Sequence, residues 1–343
     1  MADCFAEVTS SDIDGYLDKY YVIVCKLRNS RVKAKQAAVL EMIFSQFDNE
    51  ILAIINGPLG DIKGIISFFC PKKNLDLFKE KLFGIGYCRK FYLLDFENET
   101  GNNQTDLKSI NPLVWKKRHF SVKDFFCQDN RIYEEQSPHR RQFKITGSDG
   151  IVKTVFGYRG DGSDIGRRSL PVEDARCMVN LSIPCRNKRA LDPFVGAGGI
   201  VYEFKYIVHS GKITSIDMDY VLKPGLEFLG ADHYVMNAAD MSFPPDSFDS
   251  VVTETPFSEN AADDIAEVFK KVNACISKDG FLVIMCGKNQ AEKIFNITGL
   301  ENYLLFTQDI DRKGTDVVIS VWCRNRLFFN YMENTIKALK KIY

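Results

Sequence analysis

From residue 171 onward the chain alternates short apolar runs with helix-length segments, and a glycine-rich turn makes the first handover from strand to helix. That alternation constrains the fold more than any other feature. Strands that alternate with helices bury their faces as successive βαβ units, so the repeat implies a parallel, doubly wound sheet. The expected order opens with helix Pro171–Leu181, strand Ala190–Asp192, helix Ile200–Val208, strand Lys212–Asp217 and helix Tyr220–Leu229. Strands Tyr234–Met236 and Phe248–Thr253, helix Ala261–Ser277, strand Gly280–Cys286 and helix Gln290–Ile297 follow. Strands Tyr303–Thr307 and Asp316–Cys323 lie close in sequence and read as an antiparallel hairpin at the sheet edge.

The N-terminal part has a different rhythm. Tyr20–Leu27, Ile51–Ile55, Gly64–Phe69 and Lys90–Phe96 read as strands, with helices over Val32–Phe47 and Asn74–Phe83. The order β-α-β-β-α-β is that of a ferredoxin-like unit. The chain therefore divides, as an expectation, into a ferredoxin-like domain at 1–110, a basic and aromatic connector at 111–170, and an α/β domain at 171–343.

Composition narrows the function classes. The chain has 343 residues, with 45 basic against 45 acidic and 45% apolar residues, which is globular composition without a net charge. None of the ten cysteines is spaced as CxxC and there are four histidines, so no metal site is expected and the thiols read as buried and reduced. The N-terminus carries no apolar signal segment, and no apolar stretch is long enough to span a bilayer. The expected location is the cytoplasm, away from membrane.

Four polar sites follow successive strands. The first is Leu191-Asp192-Pro193-Phe194-Val195-Gly196-Ala197-Gly198-Gly199. Its glycines would let the backbone approach a ligand and expose amides at a helix start. The dinucleotide fingerprint GxGxxG would put its third glycine at Val201, so it is absent. A carboxylate just before the turn suits a ligand with a cationic amino-acid end. The second site is Asp217-Met218-Asp219, where a carboxylate can accept both hydroxyls of a ribose. The third is Asn237-Ala238-Ala239-Asp240, offering Asn237 or Asp240 to an adenine amine. The fourth is Glu254-Thr255-Pro256-Phe257, at the region where doubly wound sheets bind ligands. A carboxylate, a carbonyl before proline and an aromatic ring suit an extruded base. Each site alone also reads as an ordinary turn or loop.

Together these residues resemble a class I S-adenosylmethionine-dependent methyltransferase, most closely the THUMP-associated tRNA guanosine-N2 methyltransferases, and through them the DNA N6-adenine enzymes. The resemblance is carried by Leu170-Pro171, Ala175-Arg176, Met178-Val179-Asn180-Leu181, the Asp192–Gly199 turn, Asp217-Met218-Asp219, Phe243-Pro244, Ser247-Phe248-Asp249 and Thr253–Phe257. The family's usual catalytic motif is Asp/Asn-Pro-Pro-Tyr/Phe, and here Glu254-Thr255-Pro256-Phe257 stands in its place. The region before 110 leaves room for an abbreviated THUMP module at most.

The resemblance implies S-adenosyl-L-methionine as cofactor. Asp192, Phe194, Gly196, Gly198 and Gly199 would serve its methionyl end, Asp217 its ribose, and Asn237 or Asp240 its adenine. Glu254, Thr255, Pro256 and Phe257 would hold an exocyclic base amine, with guanosine N2 of tRNA the leading substrate. No cysteine nucleophile is nominated. Three alternatives stay open: a DNA adenine-N6 enzyme, a catalytically impaired methyltransferase fold acting as an RNA-binding or partner subunit, and an enzyme acting on a small molecule or protein.

The neutral total conceals an uneven distribution. Residues 1–150 carry a net +2, 151–189 a net +4, and 190–343 a net −6. Within 116–189 there are 16 basic against 9 acidic residues, interleaved with aromatics. Lys116, Lys117, Arg118, Arg140, Arg141, Arg159, Arg167 and Arg168 are the candidate nucleic-acid contacts. Cations with interleaved rings suit structured or single-stranded RNA, such as tRNA.

Overall fold

A computed structural model describes residues 5–8, 14–27, 32–45, 52–55, 64–75, 82, 84–95, 121–127, 133–137, 142–146, 152–156, 170–182, 189–208, 210–257, 262–297, 299–312 and 315–342. The chain forms two units, one of residues 1–129 with 335–343 and one of residues 130–334.

The first unit is built on six strands: β1 (Phe5–Val8), β2 (Tyr20–Leu27), β3 (Leu52–Ile55), β4 (Ile65–Pro71), β5 (Cys88–Asp95) and β6 (Ser121–Cys127). They lie in the order β1-β3-β4-β2-β5-β6, with β1 parallel to β3 and every other neighbour antiparallel. The central strands are apolar without alternation because both faces are covered: Val22 through Cys25 and Ile65 through Cys70 are all buried. Helix Val32–Ser45 buries Ala38, Met42 and Phe44. Its Glu41 is buried and accepts from the Gly86 and Tyr87 amides at 2.5 and 3.0 Å. The expected strands and first helix form within a few residues of their predicted bounds. Most of the second expected helix, 74–83, lies outside the described residues. The sheet also gains β1 and β6 at its two ends. The first unit runs to residue 129, and Val122 and Phe126 place β6 in register against β5.

The second unit begins with a meander of β7 (Tyr133–Ser137), β8 (Gln142–Thr146) and β9 (Val152–Phe156). These strands lie within the segment 111–170 expected to be a basic and aromatic connector. Seven strands then make the main sheet: β10 (Arg189–Asp192), β11 (Lys212–Asp217), β12 (Ala231–Val235), β13 (Phe248–Glu254), β14 (Ile276–Gly287), β15 (Leu304–Arg312) and β16 (Thr315–Cys323). Their order is β12-β11-β10-β13-β14-β16-β15. The first five are parallel, and β16 runs antiparallel to both β14 and β15. The terminal antiparallel hairpin is thus present at the sheet edge, with β16 beside β14 and β15 outermost.

The chain starts in the middle at β10, winds outward to β12, and returns to β13 on the other side of β10. That reversal opens a crevice at the carboxyl ends of β10 and β13. Beneath it, Leu191, Val251, Leu282 and Ile284 of the sheet pack with Ile265, Val268, Phe269 and Val272 of helix Ala262–Cys275. Helices Val172–Leu181 and Gly199–Ile207 are joined by a buried ion pair, Arg176 Nε to Glu203 Oε2 at 2.8 Å. Removing one partner would strand a buried charge, at a cost of roughly 3–5 kcal/mol. Among the described residues, no helix is long and apolar enough to cross a membrane.

Candidate active site

The crevice is assembled by what happens where each strand ends. At the end of β10, Asp192 is 1% exposed. One of its oxygens, Oδ1, accepts from the Thr253 hydroxyl at 2.7 Å and from the Phe194 amide at 3.2 Å. Burial pushes its carboxyl up to about 7, against the lowering effect of those two bonds, while the charges of Asp217 and Glu254 raise it further. Thr253 is fully buried on β13 and ties the two strands together at the reversal.

The chain then turns through two left-handed glycines, Gly196 at φ 49° and Gly198 at φ 85°, the second capping helix Gly199–Ile207. A side chain would be strained at either position. A Cβ built on Gly196 meets nothing within 4 Å, so its backbone faces open space. Gly199 instead meets Leu170 and Ala175 at 3.7 and 3.9 Å, which makes it a packing contact with helix Val172–Leu181. Phe194 contributes its amide to Asp192, but its ring packs edge-on against Phe269 with centroids 6.5 Å apart. It is part of the floor.

At the end of β11, Asp217 holds the turn from the other side. Its Oδ2 accepts from the Gly196 amide at 3.0 Å and its Oδ1 from the Asp219 amide at 2.9 Å. Each carboxylate oxygen keeps a second lone pair for a ligand hydroxyl. After β12, Asn237 caps the short helix Ala238–Asp240, with Oδ1 accepting from the Ala239 amide at 2.9 Å. Asp240 is exposed.

At the end of β13 the motif is ordered by a network not visible in the sequence. Thr255 is buried; its amide donates to the Met285 carbonyl at 2.9 Å and its hydroxyl to Gln290 Oε1 at 2.9 Å. Gln290, also buried, donates from Nε2 to the Pro256 carbonyl at 2.7 Å. Glu254 is half-buried, and Phe257 is 38% exposed. Thr253 stands in the sequence motif without an assigned role, and the sequence nominates nothing at Gln290. A Gly-to-Gln spacing at the start of helix Lys288–Phe295 marks a capping residue, but nothing local marks its reach to Thr255.

The structure therefore brings Asp192, Gly196, Gly198 and Asp217 together, with Glu254 close enough to act on Asp192 through its charge. The eight candidate nucleic-acid cations, Lys116 through Arg168, all lie outside the described residues. Cys286, beside the site on β14, is fully buried, and burial pushes its thiol up to about 12, so it is no nucleophile at neutral pH. A cavity of about 490 Å³, lined by Arg189, Lys205, Lys212 and Asp232 among others, opens at the opposite, amino-terminal end of the strands.

The donors present fit an adenosyl ligand with an amino-acid end. An open backbone cradle at Gly196, a carboxylate before the turn and another at the next strand end are the groups such a molecule needs.

No family model matches the chain. The tRNA (guanine(10)-N2)-dimethyltransferase of Pyrococcus abyssi is 35% identical over 98 residues, 26% of this chain and 29% of the relative. The protein of the same name from Methanothermobacter thermautotrophicus is 24% identical over 160 residues, 45% of this chain and 40% of the relative. The chain spans less than half the length of either relative. The crystal structure of TrmN from Thermus thermophilus is similar over 88% of this chain and 99% of that one, at 12% identity and a TM-score of 0.48. The seven-stranded unit has the strand order of a Rossmann-like α/β domain, and over the stretches matched the chain is similar in sequence to tRNA (guanine(10)-N2)-dimethyltransferases.

Proposed function

We propose that the protein is an S-adenosylmethionine-dependent methyltransferase acting on an exocyclic amine of a nucleic-acid base, with guanosine N2 of tRNA as substrate. The observation that carries this reading is the meeting of the Gly196 cradle, Asp217 and the Glu254–Phe257 loop at one sheet reversal. S-adenosylmethionine, when bound, supplies a methyl group on a sulfonium. Asp192 and the amides of the glycine turn hold its methionyl end, Asp217 its ribose, and Asn237 or Asp240 its adenine.

The remaining work falls to the end of β13. An exocyclic base amine is a poor nucleophile because its lone pair is delocalised into the ring. Glu254 and the Thr255 carbonyl accept its hydrogens and turn the lone pair out of the ring plane. The exposed Phe257 ring offers a face on which the extruded base stacks. As the amine nitrogen took up the methyl group, the carbon–sulfur bond would break to leave a neutral thioether, and the amine would lose a proton to Glu254. Alignment supplies most of the acceleration. The basic and aromatic segment 116–189 would carry the phosphates and neighbouring bases of the RNA.

Two measurements test this. Calorimetry should show S-adenosylmethionine binding that Asp217→Ala weakens strongly. Transfer of labelled methyl to bulk tRNA, rRNA and DNA should favour tRNA and fail with Glu254→Ala. Label on DNA alone would redirect the reading to adenine N6. Binding without transfer to any substrate would support an RNA-binding or partner subunit, the reading that the Glu254-Thr255 departure favours.

A further inference from the structure

We infer that Gln290 is the positioning residue of the catalytic loop, because it diverts a sheet hydrogen bond so that the Thr255 carbonyl is left to the substrate amine. The inference rests on the methyltransferase reading above. In a parallel ladder, a residue that donates its amide to one carbonyl accepts, at its own carbonyl, from the amide two residues further along the neighbour. Strand β13 follows this pattern up to Thr255, whose amide donates to the Met285 carbonyl at 2.9 Å. The next bond of the ladder would run from the Gly287 amide to the Thr255 carbonyl. It does not form. The Gly287 amide donates to Gln290 Oε1 at 3.1 Å instead.

The same carboxamide then secures the loop on both sides of that carbonyl. Oε1 also accepts the Thr255 hydroxyl at 2.9 Å, and Nε2 donates to the Pro256 carbonyl at 2.7 Å. One buried side chain thereby makes three bonds, to Thr255, Pro256 and Gly287. Proline at 256 fixes one backbone angle. Thr255 has no such stiffness of its own, and its hydroxyl bond to Gln290 provides it. The departure from the Pro-Pro pattern and the presence of Gln290 are two halves of one device.

Gln290→Met and Gln290→Glu test this, with labelled S-adenosylmethionine and bulk tRNA as probes. Methionine fills the space and makes none of the bonds, so turnover should fall by about 10²-fold, while the calorimetric Kd for S-adenosylmethionine stays within about threefold. Glutamate keeps the acceptor that caps helix Lys288–Phe295, and only its protonated form can donate to the Pro256 carbonyl. Its turnover should therefore fall as pH rises and its carboxyl ionises, a limb that a purely structural cap would not produce. Hydrogen exchange at the Thr255 amide supplies a readout independent of activity, and Gln290→Met should speed it at least tenfold. Turnover and exchange both unchanged in Gln290→Met would overturn the inference. If the unmodified protein methylates nothing, the functional reading fails by itself, and the Thr255 exchange rate then decides the role of Gln290. If Gln290→Met does not fold, the pH profile and Thr255 exchange of Gln290→Glu decide it, and a flat profile with unchanged exchange would overturn it.

Discussion

The two sides of the crevice are held in different ways. At the ends of β10 and β11, the main chain does the work: Asp217 accepts two backbone amides, Asp192 accepts one, and two left-handed glycines set the path between them. At the end of β13, side chains do it, with Gln290 gripping Thr255 and Pro256 across the sheet. The difference separates affinity from rate. A site framed by backbone binds whatever matches its fixed amides, and changes there alter affinity. A loop framed by one carboxamide can be misaligned without disturbing the binding side, and changes there alter turnover.

The largest expected effect breaks the pattern, because Asp192 belongs to the backbone-framed side but is governed by burial. Its carboxyl stands at about 7 in the folded protein, against an ordinary value of 3.8. The unfolded chain releases this proton near pH 4 and the folded protein only near 7. Between those values the folded state binds more protons, so its stability falls as pH rises and levels off above 7. The full loss is about 4 kcal/mol. Asp192→Asn keeps an acceptor for Thr253 and Phe194 and should abolish this slope, as urea unfolding from pH 4 to 8 would show. An unchanged slope in the variant would assign the effect to other groups.

Next in size come the two carboxylates that define the comparison. Asp217→Ala removes the partner of the Gly196 and Asp219 amides together with the ribose acceptor. S-adenosylmethionine affinity should fall by roughly 10²–10³-fold, about 3–4 kcal/mol, as read by calorimetry. Glu254→Gln should leave that affinity within about threefold and lower turnover by about 10²-fold. If Glu254→Gln instead weakened cofactor binding as much as turnover, the division between the two sides would be wrong.

What the sequence disclosed follows the same division. Asp192, Gly196, Gly198 and Asp217 are legible because each sits at a junction between an apolar run and a helix-length segment, and local chemistry reveals it. Thr253 and Gln290 are not, since their bonds span 61 and 35 residues and depend on strand order. Strand β12 begins at Ala231, three residues before the expected Tyr234, and ends at Val235. Its edge position leaves Asp232, Tyr234 and Val235 exposed, so it lacks the continuous apolar run of a central strand. Strand β7, Tyr133–Ser137, carries too little apolar alternation to mark a strand, and β8, Gln142–Thr146, alternates over only five residues. Most of the parallel core is legible in the sequence, because burial on both faces writes a strong apolar signal.

The smallest predicted effect is the sharpest test of the backbone-framed side. Gly196 and Gly198 both have positive φ, and the Cβ position of Gly196 has clear space around it. Gly196→Ala therefore introduces no clash in the protein itself. Its cost to folding is conformational alone, roughly 1–2 kcal/mol for an L residue at a left-handed angle. The added methyl group would stand in the space that the cradle offers a ligand. Cofactor affinity should fall by about tenfold, and thermal unfolding should shift by a few degrees in a chain of this size. The two observables separate the causes. A shift in melting temperature without loss of affinity would mean that the open space at Gly196 belongs to solvent and that the ligand lies elsewhere along the crevice. Loss of affinity beyond what the melting shift reflects would place the cofactor against this backbone, since the methyl group touches nothing else.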